Sequence, residues 1–546
     1  MAVSQFFIRE KEGISLFSLG PPFRCIFKSP GTLCCWHKST VAIFNTKLSV
    51  FDLSKEPRCL IREMPFLLPP RKIEWSPDGK CLVVLLPNEG RNNLILLRVS
   101  RNGGEIIWTA KHQHNKAGSV LIFLPSLATK TLTFILPKRN RMHIFTANAT
   151  VVKNFSDDNN KYFREIGSIN LPRFTAEKLY ESHTHKSVSK IALFGASTDQ
   201  LQSYIKIYVV QHLVSISGEC KNNQVSALVT FNVGFTDTAE MEWNVSGDRL
   251  LIVAVYTVDS AGKNYGPVAD CFLIRTDNDK DNGNVDAFGG KDGYKLNDNP
   301  VHDAKWCPTS NIFALIQGNS PSYITLHDHN GMKLYNFPNG YRNIIRWNPS
   351  GDYLLFAGFG NLAGQVTLYK LDSKAPASTL SQSIQVIYDW RDPCTVVCEW
   401  SPDAKFLLIA STFPRMKVDN WVKILTFDGE LVVSMPFSQL YEALWIIDGS
   451  GPVELPTPRP KPIAQPKLPY RPRKKDSSDN TNTIDSLFEK LSLQKRATTY
   501  NLTANGHDYM QAFRKYMVTV KPLSFSNWYT RHLSTDKSVV VVNSKN

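Results

Sequence analysis

Two copies of one pattern lie side by side in residues 341–422. Each begins with a short apolar run ending in tryptophan (Trp347, Trp400). A turn follows: Asn348-Pro349-Ser350-Gly351 in the first copy, Ser401-Pro402-Asp403-Ala404 in the second. A second apolar run, a loop and a third run complete each copy. A self-similar unit of about 40–50 residues, with several strand-like runs and a tryptophan-plus-turn signature, cannot bury its faces alone and must stack against its neighbours; this is the mark of a β-propeller. Weaker copies lie at Phe27-Lys28-Ser29-Pro30-Gly31, Trp75-Ser76-Pro77-Asp78-Gly79, Trp243-Asn244-Val245-Ser246-Gly247 and Trp306-Cys307-Pro308.

Each unit reads as four antiparallel strands, a to d, with the aromatic residue closing strand a. In the second unit these are about 73–75, 81–86, 94–99 and 106–109. The tryptophans are wedges between neighbouring sheets, and Gly79, Gly247 and Gly351 stand where a tight turn needs positive φ. Strand a ends are expected near 27, 75, 123, 174, 243, 306, 347, 400 and 445, which makes nine units. The long interval from 123 to 243 must hide a poorly marked blade, placed at 165–215 around 190–196 and 204–210. The ninth unit has only its inner strand, 441–447, before a proline run begins. The N-terminal runs 5–8 and 14–19 can supply its missing strands, so the expected fold is all-β: a nine-bladed propeller whose N-terminal strands close the last blade.

The chain carries 63 Lys and Arg against 48 Asp and Glu, a net charge of +15 that suits an anionic partner such as RNA. Residues 452–546 hold 16 of those cations and only 7 acids. The expected boundaries are therefore a propeller over 1–451, a proline-rich basic linker over 452–475 and a low-order tail over 476–546. In the linker, prolines interleave with Arg459, Lys461, Lys467, Arg471, Arg473, Lys474 and Lys475. In the tail, Ile484, Leu487, Phe488 and Leu491 fall at helical spacing, a short amphipathic helix near 484–494. The start has no secretory leader pattern, and no run is long and apolar enough to span a membrane. The ten cysteines show no paired C-x-x-C spacing and read as free thiols in a reducing cytoplasm.

Enzyme chemistry finds no foothold. Propellers with such turns also occur on oligopeptidases, but the chain has no G-x-S-x-G elbow, and the tail is too short for a hydrolase domain. No G-x-x-x-x-G-K-[ST] phosphate loop is present. Gly358-Phe359-Gly360-Asn361-Leu362-Ala363-Gly364 joins two strands and reads as a shaped hairpin loop, with no helix N-terminus to receive a phosphate. His112/His114, His183/His185 and His327/His329 lack further ligands nearby. Asp277, Asp279 and Asp281 alternate as in a calcium loop, but Asn282 stands where that loop needs glycine. The reading is a non-enzyme with no cofactor, no metal and no small-molecule substrate.

The chain resembles the eukaryotic translation initiation factor 2A family in Arg342-Asn343, in Leu355-x-Ala357-Gly358-Phe359-Gly360-Asn361-Leu362 with Gly364-Gln365, and in Pro414-Arg415-x-x-Val418-x-Asn420. Tyr265-Gly266, Glu442-x-Leu444-Trp445 and Tyr470-Arg471-Pro472 support the likeness, which covers about 1–473. The resemblance implies a nine-bladed propeller that binds the small ribosomal subunit. It also implies start-codon-dependent, GTP-independent delivery of initiator methionyl-tRNA, with mRNA and other initiation factors as further partners, in the cytoplasm. Residues 476–546 lack the Lys/Ala/Glu-rich helices usual at the end of that family.

The matched segments converge on one face. In a propeller, the b–c loops and the d–a connections open on the same side. Residues 256–266, 339–343, 358–364 and 413–420 are all such loops, over blades five to eight. The candidate ribosome or RNA contacts are Lys263, Tyr265, Tyr341, Arg342, Asn343, Phe359, Asn361, Arg415, Lys417 and Asn420, with Arg471, Arg473, Lys474 and Lys475 in the linker. Arg342 and Arg415 are expected on exposed loops, with Tyr265, Tyr341 and Phe359 free to stack. The competing reading is a propeller scaffold for protein complexes, without RNA contact.

Overall fold

The structure, a computed structural model, describes residues 4–446 apart from 21–22, 54–57, 67, 77, 88–91, 101–102, 112–120, 125–130, 139–140, 149–162, 171–179, 183–189, 196–201, 210–226, 257–267, 277–291 and 414. The chain divides into units 1–460 and 461–546, the second wholly outside the described residues together with the linker cations and the 484–494 helix.

Within the first unit the described strands form nine four-stranded antiparallel sheets. Eight blades run in sequence order, at 33–64, 72–110, 122–170, 180–234, 238–295, 301–340, 344–391 and 397–437. The ninth takes its inner strand from Leu440–Trp445 and its other three from Gln5–Glu10, Gly13–Ser18 and Arg24–Ser29. Phe7 pairs with Leu444 and Phe6 with Trp445, so the first and last described strands share one sheet. That pairing removes the free edges that would otherwise template association.

Two strand assignments differ from the sequence reading. Phe27 does not end an inner strand; it lies in the outer strand of the closing blade. Blade one instead begins with Leu33–His37, and Trp36 is its aromatic residue. Likewise blade four starts at Tyr180–Ser182 rather than near 174 and ends at Gly234, while Arg164–Asn170 is the outer strand of blade three. Both shifts have one cause. A strand d and the strand a after it are both short apolar runs followed by a turn, and without a tryptophan followed by a proline or glycine turn to mark strand a the pattern is ambiguous by one strand.

The second strand of each blade is apolar over most of its length because both faces of its sheet meet a neighbour. In blade seven, Tyr353–Ala357 is buried at every position. Leu354 and Phe356 face a cluster shared with blade six, and Tyr353, Leu355 and Ala357 face one shared with blade eight. A further cluster of Phe7, Ile14, Leu16, Val41 and Ile43 joins blade nine to blade one. The inner-strand tryptophans add a repeated polar tie. Five of the indole nitrogens donate to the carbonyl just before the aromatic residue of the preceding blade: Trp75 to Cys35 (3.2 Å), Trp306 to Glu242 (3.1 Å), Trp347 to Lys305 (3.0 Å), Trp400 to Arg346 (3.3 Å) and Trp445 to Glu399 (2.9 Å). Trp36, at the closing seam, breaks the series. Its ring nitrogen is buried without a carbonyl partner, and the ring stacks on Phe7 at 5.1 Å. The turn glycines Gly79, Gly247 and Gly351 all have positive φ, as the turns require.

Candidate functional site

The connection 341–343 and the loop 358–364 meet at the rim of blade seven, and glycines allow the approach. A Cβ on Gly358 would lie 2.0 Å from the Tyr341 carbonyl oxygen. Gly364 has φ +79°, and a Cβ there would lie 2.4 Å from the Asp392 carbonyl oxygen. The glycines of the G-F-G-N-L-A-G segment thus serve close backbone packing rather than a phosphate cradle.

Four of the expected contact residues turn out to be braces. Phe359 is 3% exposed and packs into the cluster between blades seven and eight, anchoring its loop instead of offering a ring. The Asn343 side chain accepts from the Phe359 N–H (2.9 Å) and donates to the Phe359 carbonyl (3.1 Å). The buried Asn420 accepts from the Leu440 N–H (3.0 Å) and donates to the Met416 carbonyl (2.8 Å), tying blade eight to blade nine. Arg342 is only 6% exposed. Its guanidinium reaches inward to the Thr367 hydroxyl with Nη1 buried and unpartnered, and burial pulls its pKa down. The expectation of an exposed Arg342 is therefore corrected: the tight 340–342 backbone, with the Arg342 N–H donating to the Gly340 carbonyl (3.0 Å), aims the side chain into the blade.

The surface that remains is smaller and sharper. Tyr341, Asn361, Arg415 and Lys417 are exposed, Tyr341 at 54%. Arg415 donates from Nη2 to Asn361 Oδ1 at 3.1 Å, linking the rims of blades seven and eight. Lys417 lies 4.6 Å from the centre of the Phe413 ring, which itself packs edge-on against Tyr441. Lys263 and Tyr265 fall outside the described residues, as do the acidic 277–281 segment and the His112/His114 and His183/His185 pairs. His327 is buried against Phe313 and bonded to Thr325, a core residue. Among the described residues no group of acids, histidines and cysteines has metal-holding geometry, and no helix is long and apolar enough to cross a membrane.

Beside this rim lies a groove of about 660 Å³, walled by Tyr341, the 361–363 loop, Gln365 and the end of strand d at Asp389, Trp390 and Arg391. The register sets its polar groups: Gln365 lies opposite Arg391 and Thr367 opposite Asp389. Arg391 Nε donates to the Ala363 carbonyl at 2.7 Å. Asp389 accepts only from the Thr367 hydroxyl, at 3.3 Å. The sequence reading missed Asp389 and Arg391. Their alternation at the end of strand d, directly across from the glycine-rich loop, was the available signal.

The inner strands carry a second charged array. Lys305 pairs with Glu240 (3.3 Å), Arg346 lies between Asp303 (3.8 Å) and Glu399 (3.5 Å), and Arg9 pairs with Glu442 (3.0 Å). Glu242 accepts from the Trp306 N–H at 3.2 Å, and burial pushes its carboxyl up to about 7. These groups neutralise one another and hold no nucleophile beside a base.

Comparison with known proteins follows the same geography. The family model described as "Eukaryotic translation initiation factor eIF2A" matches residues 232–443, which is the end of blade four, blades five to eight and the start of the ninth. Eukaryotic translation initiation factor 2A of Saccharomyces cerevisiae is 34% identical over 216 residues, 38% of this chain and 30% of that protein. Its counterpart in Caenorhabditis elegans is 28% identical over 300 residues, 53% of this chain and 49% of that protein. The chain thus spans less than half the length of these curated relatives. A solved structure titled "Crystal structure of the eukaryotic initiation factor" superposes with a TM-score of 0.60 at 20% identity, covering 81% of this chain and 98% of that one, a likeness of fold.

Proposed function

We infer, from a chain that belongs through residues 232–443 to the eukaryotic translation initiation factor 2A family, that this protein acts in translation initiation as a non-enzymatic factor in the cytoplasm. Its finer role is to associate with the small ribosomal subunit and to promote binding of initiator methionyl-tRNA in a start-codon-dependent, GTP-independent way.

The observation that carries this reading is the rim of blades seven and eight. Arg415, Lys417, Asn361 and Tyr341 stand exposed on loops that buried residues hold in place, and all lie within the matched segment. Cations on a rigid support suit phosphates, and an exposed ring beside them suits an unstacked base. Sedimentation of the full chain with purified small subunits tests it. Co-migration that weakens as salt rises is the expected result, because phosphate contacts release counterions. Free migration at every salt concentration would favour the protein-scaffold reading.

A further inference from the structure

We propose that the groove beside Tyr341 is a single-base pocket that selects guanine from single-stranded RNA. The inference deepens the RNA-contact reading above and rests on it. Three observations carry it. First, Asp389 presents a carboxylate at the groove with one hydroxyl as its hydrogen-bond partner and no Lys or Arg nitrogen within 4.0 Å among the described residues. Arg342 reaches Asp389 only through the shared Thr367 hydroxyl and by its charge, and Arg391 Nε donates to the Ala363 carbonyl. Oδ2 and the remaining lone pair of Oδ1 therefore stand open to donors. Second, Tyr341 lines the same groove with its side chain largely exposed, while its backbone is pinned against Gly358, so a ring is held out for stacking by a fixed support. Third, Arg391 and Arg415 flank the groove, the latter through its bond to Asn361.

The chemistry of the bases then selects. Guanine offers N1–H and the N2 amino group side by side, a pair of parallel donors that a carboxylate accepts bidentately. Adenine and cytosine each set one donor beside an acceptor on that edge, and uracil sets its one donor between two carbonyls. The volume of about 660 Å³ lies within the roughly 300–1,000 Å³ usual for small-molecule sites. A basic peptide would also satisfy Asp389, but it would bring positive charge against Arg391, Arg415 and the buried Arg342. Strand cations flanking one acid favour a polyanion whose base, not its backbone, enters the groove.

The test is fluorescence anisotropy of the full chain with short labelled oligouridines carrying one central guanosine, inosine or adenosine. The guanosine oligomer should bind roughly tenfold more tightly than plain oligouridine, adenosine should give no gain, and inosine, which lacks the N2 amino group, should fall between. Asp389→Asn should erase the guanine preference while leaving oligouridine binding unchanged or tighter, since it removes a negative charge. Tyr341→Ala should weaken every oligomer by at least about fivefold, as loss of a stacking ring does. Should Asp389→Asn fail to fold, the base series on the unaltered chain still decides. Equal affinity for all the oligomers, a guanine preference that survives Asp389→Asn, or Asp389-dependent binding of an arginine-rich peptide in place of RNA would each overturn the pocket. The two readings fail separately: co-migration with small subunits but no guanine preference sinks the pocket alone, and guanine preference without co-migration sinks the initiation role alone.

Discussion

Arg342 and Arg415 are the same residue type on neighbouring loops of one face, and they do opposite jobs. Arg342 is buried behind the groove, whereas Arg415 lies on the surface against Asn361. Replacing Arg342 by glutamate would bury an unpaired acid in sight of Asp389, a change of about 3–5 kcal/mol. Arg415→Glu, on an exposed loop, should stay within about 0.5 kcal/mol. Thermal melts of the two variants check this; equal melting temperatures would show Arg342 to be a surface residue after all. Sequence could place both arginines on the loop face, because blade rhythm fixes loop positions. It could not tell which way either side chain turns, since that depends on the backbone bond between Arg342 and Gly340. The same limit hid the inward-turned Phe359.

Glu242 gives a second measurement at this scale. Burial raises its carboxyl from 4.5 to about 7, against the opposing pull of Lys305. The folded state thus holds that proton more tightly than the unfolded chain does. The group's contribution is most favourable below about pH 4.5 and is lost as pH rises through about 7. Glu242→Gln keeps the acceptor for the Trp306 N–H and removes the titration. It should stabilise the protein by about 1–2 kcal/mol at pH 8, after allowance for solvent screening, and by much less at pH 5. Denaturant midpoints at the two pH values read this out; an equal shift at both would mean that Glu242 titrates normally.

The inner strand with its tryptophan is the unit from which the ring is built. One side chain both fills the wedge between blades and donates to a carbonyl of the preceding blade's inner strand, so from blade five to blade nine each blade is tied in register to the next. Trp347→Phe keeps an aromatic filler but orphans the Lys305 carbonyl, a loss of about 1–2 kcal/mol beyond the change in ring size. Trp36→Phe orphans no carbonyl and removes a buried donor that lacks one. It should cost at least about 1 kcal/mol less than Trp347→Phe in denaturant unfolding. Similar losses would show that the indole bonds add nothing to packing. These elements were the most legible part of the sequence, because tryptophan, turn and glycine recur together. Blade four and the start of blade one, which lack that full signature, were the places where assignment slipped by a strand. The close approach of Gly358 to Tyr341 has no local signature at all, since one lies in the connection that enters the blade and the other in the loop after its second strand.

At the scale of the molecule, the ring explains how scattered segments become one surface. Blades six to eight bring 341–343, 358–364 and 413–420 to adjoining positions on one face, and the pairing of the first and last described strands in blade nine holds the ring shut. That convergence was foreseeable from strand alternation alone. The groove was not, because it depends on the register of Gln365 against Arg391. The most direct test of the rim as the contact surface is the affinity of full-length Arg415→Glu/Lys417→Glu for purified small ribosomal subunits, measured across salt concentrations. The expected result is an unchanged melting temperature, binding weaker by at least about tenfold, near 1.4 kcal/mol, and a shallower dependence on salt. Unaltered affinity and an unaltered salt slope in a folded double variant would contradict it and move the contact away from this face.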